Sequence, residues 1–75
     1  MHRGPAVREG ACFAQILKRQ ACGARWRVEG IYRDWQDVEH ARLVNLDDPT
    51  ITKTLAAGEL VDERQFACLA QDSAR

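Results

Sequence analysis

The stretch Arg25-Trp26-Arg27-Val28-Glu29-Gly30-Ile31-Tyr32-Arg33 constrains the fold more than any other part of the chain. From Arg25 to Glu29 polar and large apolar residues alternate, which is the period of a half-buried strand. Trp26 and Val28 share one face and the arginines the other. Gly30 then interrupts the pattern, and a glycine inside a strand often marks a bulge. A bulge there turns Ile31 inward and Tyr32 outward; a regular strand keeps Tyr32 on the Trp26 face. The sequence is compatible with both.

The neighbouring segments fit around this strand. Ala11–Gln20 has Phe13, Ile16, Leu17 and Gln20 at helical spacing, but it precedes Arg19–Ala24, a plausible short loop in which Gly23 is free to take positive φ. A hairpin then joins a strand at Phe13–Lys18 to Arg25–Arg33; the alternative is an α+β fold with a helix over 11–20. Asp34-Trp35-Gln36-Asp37 reads as a turn, and Val38–Leu46 as the next strand, with Ala41 and Leu43 on one face and His40, Arg42 and Val44 on the other. A helix from Asp34 lacks an apolar stripe. Asn45-Leu46-Asp47-Asp48-Pro49 is a strong breaker, followed by the β-prone run Thr50–Leu55, a helical turn at Ala56–Leu60 and a last short strand at Gln65–Leu69.

Five short strands with one helical turn before the last give an all-β class: a small antiparallel SH3-like barrel. At 75 residues there is room for one domain with a modest core. We expect a flexible lead-in over 1–10, the domain over 11–70 and a tail over 71–75. Trp26–Asp34, His40–Val44 and Lys53–Ala56 resemble segments of small uncharacterised bacterial SH3-like barrel proteins, often carried on mobile elements. The likeness spans residues 13–70 and rests on structural segments. Plasmid-borne trimethoprim-resistant dihydrofolate reductases have the same size and barrel. Their Val-Gln-Ile-Tyr pore segment is absent here, and Thr52-Lys53-Thr54-Leu55 stands in the comparable place, so that activity is not carried over.

Charge is uneven although the formal net charge is zero. Residues 1–33 carry seven basic groups against Glu9 and Glu29, and residues 34–75 carry four against nine acids. A basic face that meets an anion is one reading, and mutual neutralisation of the halves on folding is the simpler one. No run is long and apolar enough for a membrane-spanning helix, and the N-terminal residues lack the apolar stretch of a secretory signal. With three widely spaced cysteines, the expectation is a cytoplasmic protein with reduced thiols.

The sequence shows no catalytic signature. Cys12, Cys22, Cys68 and His40 lack the close ligand pairs by which zinc sites announce themselves. A Cys12–Cys22 disulfide across the first hairpin is conceivable, though unusual in a reducing compartment. Ser73 is the sole serine and lies in the tail, and a cysteine with His40 has no glycine-rich oxyanion loop beside it. Asp34, Asp37, Glu39, Asp47 and Asp48 cluster at turns, where aspartate is favoured for its backbone hydrogen bonds. The expectation is a non-enzymatic module without cofactor or metal.

Two binding roles remain. Arg25, Arg27 and Arg33 with Tyr32 resemble the basic, aromatic strands on which small barrels stack single-stranded nucleic acid. Alternation, however, sets Trp26 and its flanking arginines on opposite faces. Trp35 sits in a turn, where a tryptophan has little reason to be unless it folds back or meets a partner. The leading expectation is therefore protein–protein contact or self-association, with Arg25, Arg27, Tyr32, Arg33 and Trp35 as candidate binding residues. Single-stranded nucleic-acid binding is the second reading, and no membrane partner is expected.

Overall fold

A computed structural model describes residues 7–69. Strands β1 (Cys12–Gln15), β2 (Arg25–Arg33), β3 (Glu39–Asn45) and β4 (Thr52–Ala56) are followed by the single-turn helix α1 (Ala57–Leu60) and strand β5 (Phe66–Cys68). The five strands form one antiparallel sheet in the order β4-β3-β2-β1-β5. The all-β class and the element order are those read from the sequence, and the 11–20 segment is a strand and turn, not a helix. One difference concerns closure: β4 and β5 do not pair among the described residues, so the sheet remains open along that seam.

β2 is the spine, pairing with β1 over its first half and with β3 over nearly all its length. The alternation Trp26, Val28 points both side chains into the core, where they are 5% and 1% exposed. Val28 pairs with Leu43 and Gly30 with Arg42, so the register slips and Glu29 is the extra residue of a β-bulge. The slip reverses the faces beyond it. Ile31 packs against the core and Tyr32 is turned out.

Phe13, Trp26, Val28, Ala41, Leu43, Leu60 and Phe66 make the centre of the core. Leu43, Leu60 and Val28 are fully buried, each such side chain contributing about 1.5–3 kcal/mol. Ala56 leaves β4 extended and the chain turns at once into α1, which packs against β3 and β4 and drops Leu60 into the core. Asp62 then organises the entry to β5. Its carboxylate accepts from the Arg64 guanidinium, the Gln65 side chain and the Arg64 amide, which holds its pKa down at about 2.

Val7, which the sequence reading assigns to a flexible lead-in, is buried in the core, and the Gly10 amide donates to the Val28 carbonyl (2.9 Å). The packed domain thus includes residues 7–10; the rest of the lead-in and the tail lie outside the described residues. Gly10 has φ +90, a conformation that costs glycine little.

The first hairpin turns differently from expectation. Leu17 and Gln20 exchange backbone hydrogen bonds (2.8 and 2.9 Å) around Lys18 and Arg19, whose φ values are 51 and 68. This two-residue loop has left-handed geometry at both centres, a form usually filled by Asn-Gly. Gly23 is needed for another reason. Its amide donates to Gln15 O, and a Cβ on Gly23 would sit 2.9 Å from that same oxygen. Cys12 faces Arg27 across the ladder rather than Cys22, and all three thiols are free.

Lys53 takes an unusual place. On β4 it pairs with Leu43 and shares the inner face. Its ammonium lies 4.5 Å from the centre of the Trp26 ring and 6.0 Å from that of Phe66, an attraction between cation and ring face. Trp26 Nε1 is buried and finds no hydrogen-bond partner among the described residues.

Candidate functional site

The five candidate residues separate into two groups. Arg25 and Arg33 are eight steps apart on β2, a distance of about 26 Å at ~3.3 Å per residue. At the near end Arg25 donates to Asp47 Oδ1 (2.9 Å), an exposed ion pair. Arg27 is half-buried, and its register partners Cys12 and Val44 are both buried on the same face. The aliphatic stem of Arg27 is placed to cover that apolar pair, a structural task for a long cationic side chain. Trp26 is core. A continuous basic, aromatic strip along β2 therefore does not form.

Tyr32, Arg33 and Trp35 come together at the tip of the β2–β3 hairpin, and two further residues join them, Val38 and His40. The tip is a three-residue loop. Asp37 donates from its amide to the Asp34 carbonyl (2.8 Å), and Asp34 donates to the Val38 carbonyl (3.0 Å). Asp37 has φ 65, which aspartate tolerates better than most residues.

Asp34 stitches this loop from inside. Its Oδ1 accepts from the Gln36 amide (2.8 Å) and the Val38 amide (3.0 Å). Its Oδ2 lies 2.8 Å from His40 Nε2. The His40 hydrogen bond, helped by the two amides, holds the Asp34 carboxyl below its ordinary 3.8. An ionised carboxylate only accepts, so Nε2 carries the proton. His40 is the register partner of Tyr32, and the two rings stack with centroids 5.2 Å apart. With Nε2 engaged by Asp34 and one ring face covered by Tyr32, His40 is held as a structural post.

On that frame Trp35 stands out from the molecule, 90% exposed, and Tyr32 and Val38 on the same hairpin are about half exposed. Arg33 donates to Asp37 Oδ1 and to the Asp37 carbonyl, both at 3.2 Å. Arg42 faces Glu29 at 3.8 Å. The outward arginines of β2 and β3 thus mostly sit beside acids, a sharing of charge between the two halves of the chain.

A second feature lies elsewhere. An apolar groove of about 570 Å³ runs along β5 and α1, walled by Phe13, Leu60, Val61 and Phe66, with Arg8 and Glu63 also lining it. No local sequence pattern marks it, because it needs Leu60, Val61 and Glu63, at and just after the end of α1, to come beside Phe13 and β5. His40 was findable. Once the loop is placed at residues 35–37, hairpin pairing puts residue 40 opposite residue 32.

Among the described residues there is no cluster of three or more metal-ligating side chains, and no helix is long and apolar enough to cross a membrane. Compared with protein-family models, curated proteins and solved structures, the chain matches none.

Proposed function

We propose that this domain is a non-enzymatic binding module that works by protein–protein contact, including contact between its own copies, through the tip of the β2–β3 hairpin. The observation that carries this reading is Trp35, 90% exposed on a loop held in place by the Asp34 carboxylate. A tryptophan is the side chain most often found at the energetic centre of an interface. Fixing it on a stiff loop removes much of the ordering cost that binding would otherwise carry. The acids beside Arg25, Arg33 and Arg42 weigh against a nucleic-acid groove, since phosphates would have to compete with Asp47, Asp37 and Glu29. The free thiols, two of them exposed, suit a reducing, cytoplasmic setting. We propose too a kinship with the small bacterial SH3-like barrel proteins; its support is the likeness of the sequence segments themselves.

The test compares the protein with its Trp35→Ala variant by light scattering across concentration. Association that disappears in the variant, with the fold intact by circular dichroism, supports the reading. Association that is unchanged in the variant overturns it. So does a labelled single-stranded oligonucleotide that binds at low salt, weakens as salt is added and ignores the substitution.

A further inference from the structure

We infer that the tip of one copy is received by the apolar groove of a second copy of this chain, Trp35 entering between Val61 and Phe66. This deepens the reading above and rests on it. The two surfaces are complementary in kind. Trp35 is a large apolar side chain left 90% exposed, and the groove is a mostly apolar concavity of about 570 Å³. That volume falls within the roughly 300–1,000 Å³ of sites that enclose small molecules, enough for an indole with Val38 following it.

The charges match as well. The tip carries Arg33 and Asp37, both more than half exposed. The groove carries Arg8 and Glu63, both exposed. Entry of Trp35 brings Asp37 toward Arg8 and Arg33 toward Glu63, so two opposite-charge pairs form where the tip's own pair was solvated. Arg8 is also available to lie over the indole face. A second copy is the occupant these observations favour, because one chain supplies both halves of the joint. Its formal net charge of zero means that copies do not repel. If each copy gives its tip and receives the other's, the joint is made twice about a two-fold axis and the assembly closes as a dimer.

The experiment is sedimentation equilibrium of the full chain, with tryptophan emission read over the same concentrations. The expected result is a mass that rises toward twice the monomer, with a blue shift that the Trp35→Phe variant lacks, because Trp26 is buried in both states. Trp35→Ala and Val61→Glu should each weaken the dimer by at least about 30-fold, the loss expected for an interface anchor. Val61 is itself 42% exposed, so its replacement leaves the core intact. Glu63→Lys, at another exposed position, should weaken it several-fold, and less so at high salt. Mixing Trp35→Ala with Val61→Glu should restore association in part, since the groove of the first still accepts the tip of the second. A dimer lost in Trp35→Ala but untouched by Val61→Glu and Glu63→Lys overturns the groove as the seat while leaving the tip as a contact element. A chain that stays monomeric at the highest concentration also overturns it, and a tip-dependent complex with a different protein would then still satisfy the broader reading. Association untouched by Trp35→Ala overturns both.

Discussion

Two hairpins flank the centre of this sheet, and both turn on left-handed residues other than glycine, yet they are held in different ways. The β1–β2 turn places Lys18 and Arg19 at φ 51 and 68 and is closed by backbone bonds between Leu17 and Gln20. Its support is a close approach of Gly23 to Gln15, together with a long thiol contact from Cys22 to the Leu17 carbonyl. The β2–β3 turn places only Asp37 at positive φ and is closed by backbone bonds and by the carboxylate of Asp34, which also holds His40 under Tyr32. One turn is shaped by absence of a side chain, the other by presence of one. The second is the better platform, because side-chain stitches hold the loop backbone that carries Trp35.

The largest effect expected from breaking this contrast is on the first hairpin. Gly23→Ala should lower stability by about 1–3 kcal/mol, read from urea unfolding, since the new Cβ meets the Gln15 backbone. A neutral result would mean that the two strands separate there at little cost. Next comes Asp34→Ala, which should speed amide exchange at Gln36 and Val38 on the order of tenfold and leave Gln20 unchanged. Equal effects on both turns would erase the distinction. Acid should do the same reversibly. The Asp34 pKa is lowered in the folded state, so the contribution of the carboxylate is complete above its ordinary 3.8 and is lost as pH falls through the depressed value. Amide shifts of Gln36 and Val38 should move in that range, while those of Leu17 and Gln20, in a turn without a carboxylate, should stay. Arg19→Gly should raise stability by about 0.5–1 kcal/mol, the relief of a left-handed residue less the entropy of a glycine. Smallest is Trp35→Ala, expected within about 0.5 kcal/mol of the parent in the monomer because the side chain packs on little.

Much of the strand layout was legible because it depends on local pattern. Trp26 and Val28 alternate with arginines, Asn45–Pro49 breaks the chain, and Ala41 and Leu43 declare an inner face. The exposure of Tyr32 was legible only as a choice, since one inserted residue at the bulge decides it and side-chain period cannot count insertions. The left-handed pair Lys18–Arg19 is not legible because nothing in their chemistry asks for that conformation; pairing of the strands imposes it, and Gly23 is the residue nearby whose chemistry suits a turn. Val7 escaped because a single apolar residue beside Gly-Pro carries no period. Of the candidate site, Trp35 was readable from its place in a turn. Arg25, Arg27, Tyr32 and Arg33 read as one basic, aromatic strip because they share a strand, whereas the extended chain sets Arg25 far from Tyr32 and Arg33, and only those last two reach the tip that carries Trp35.

The placement of Lys53 bears on how this domain comes apart and what it resists joining. The four neighbouring pairs of the sheet are zipped by backbone ladders; along the seam between β4 and β5 no ladder forms among the described residues, and the Lys53 ammonium of β4 lies 6.0 Å from the Phe66 ring of β5 and 4.5 Å from the Trp26 ring of β2. Thermal breathing should begin along that line, with the two outermost strands parting before the β2–β3 pair. An incoming strand from another chain would have to displace or bury that charge to add itself to β4, a deterrent to runaway edge-to-edge stacking. Exchanging the lysine for leucine should therefore leave the fold standing while making concentrated solutions more prone to fibrillar growth.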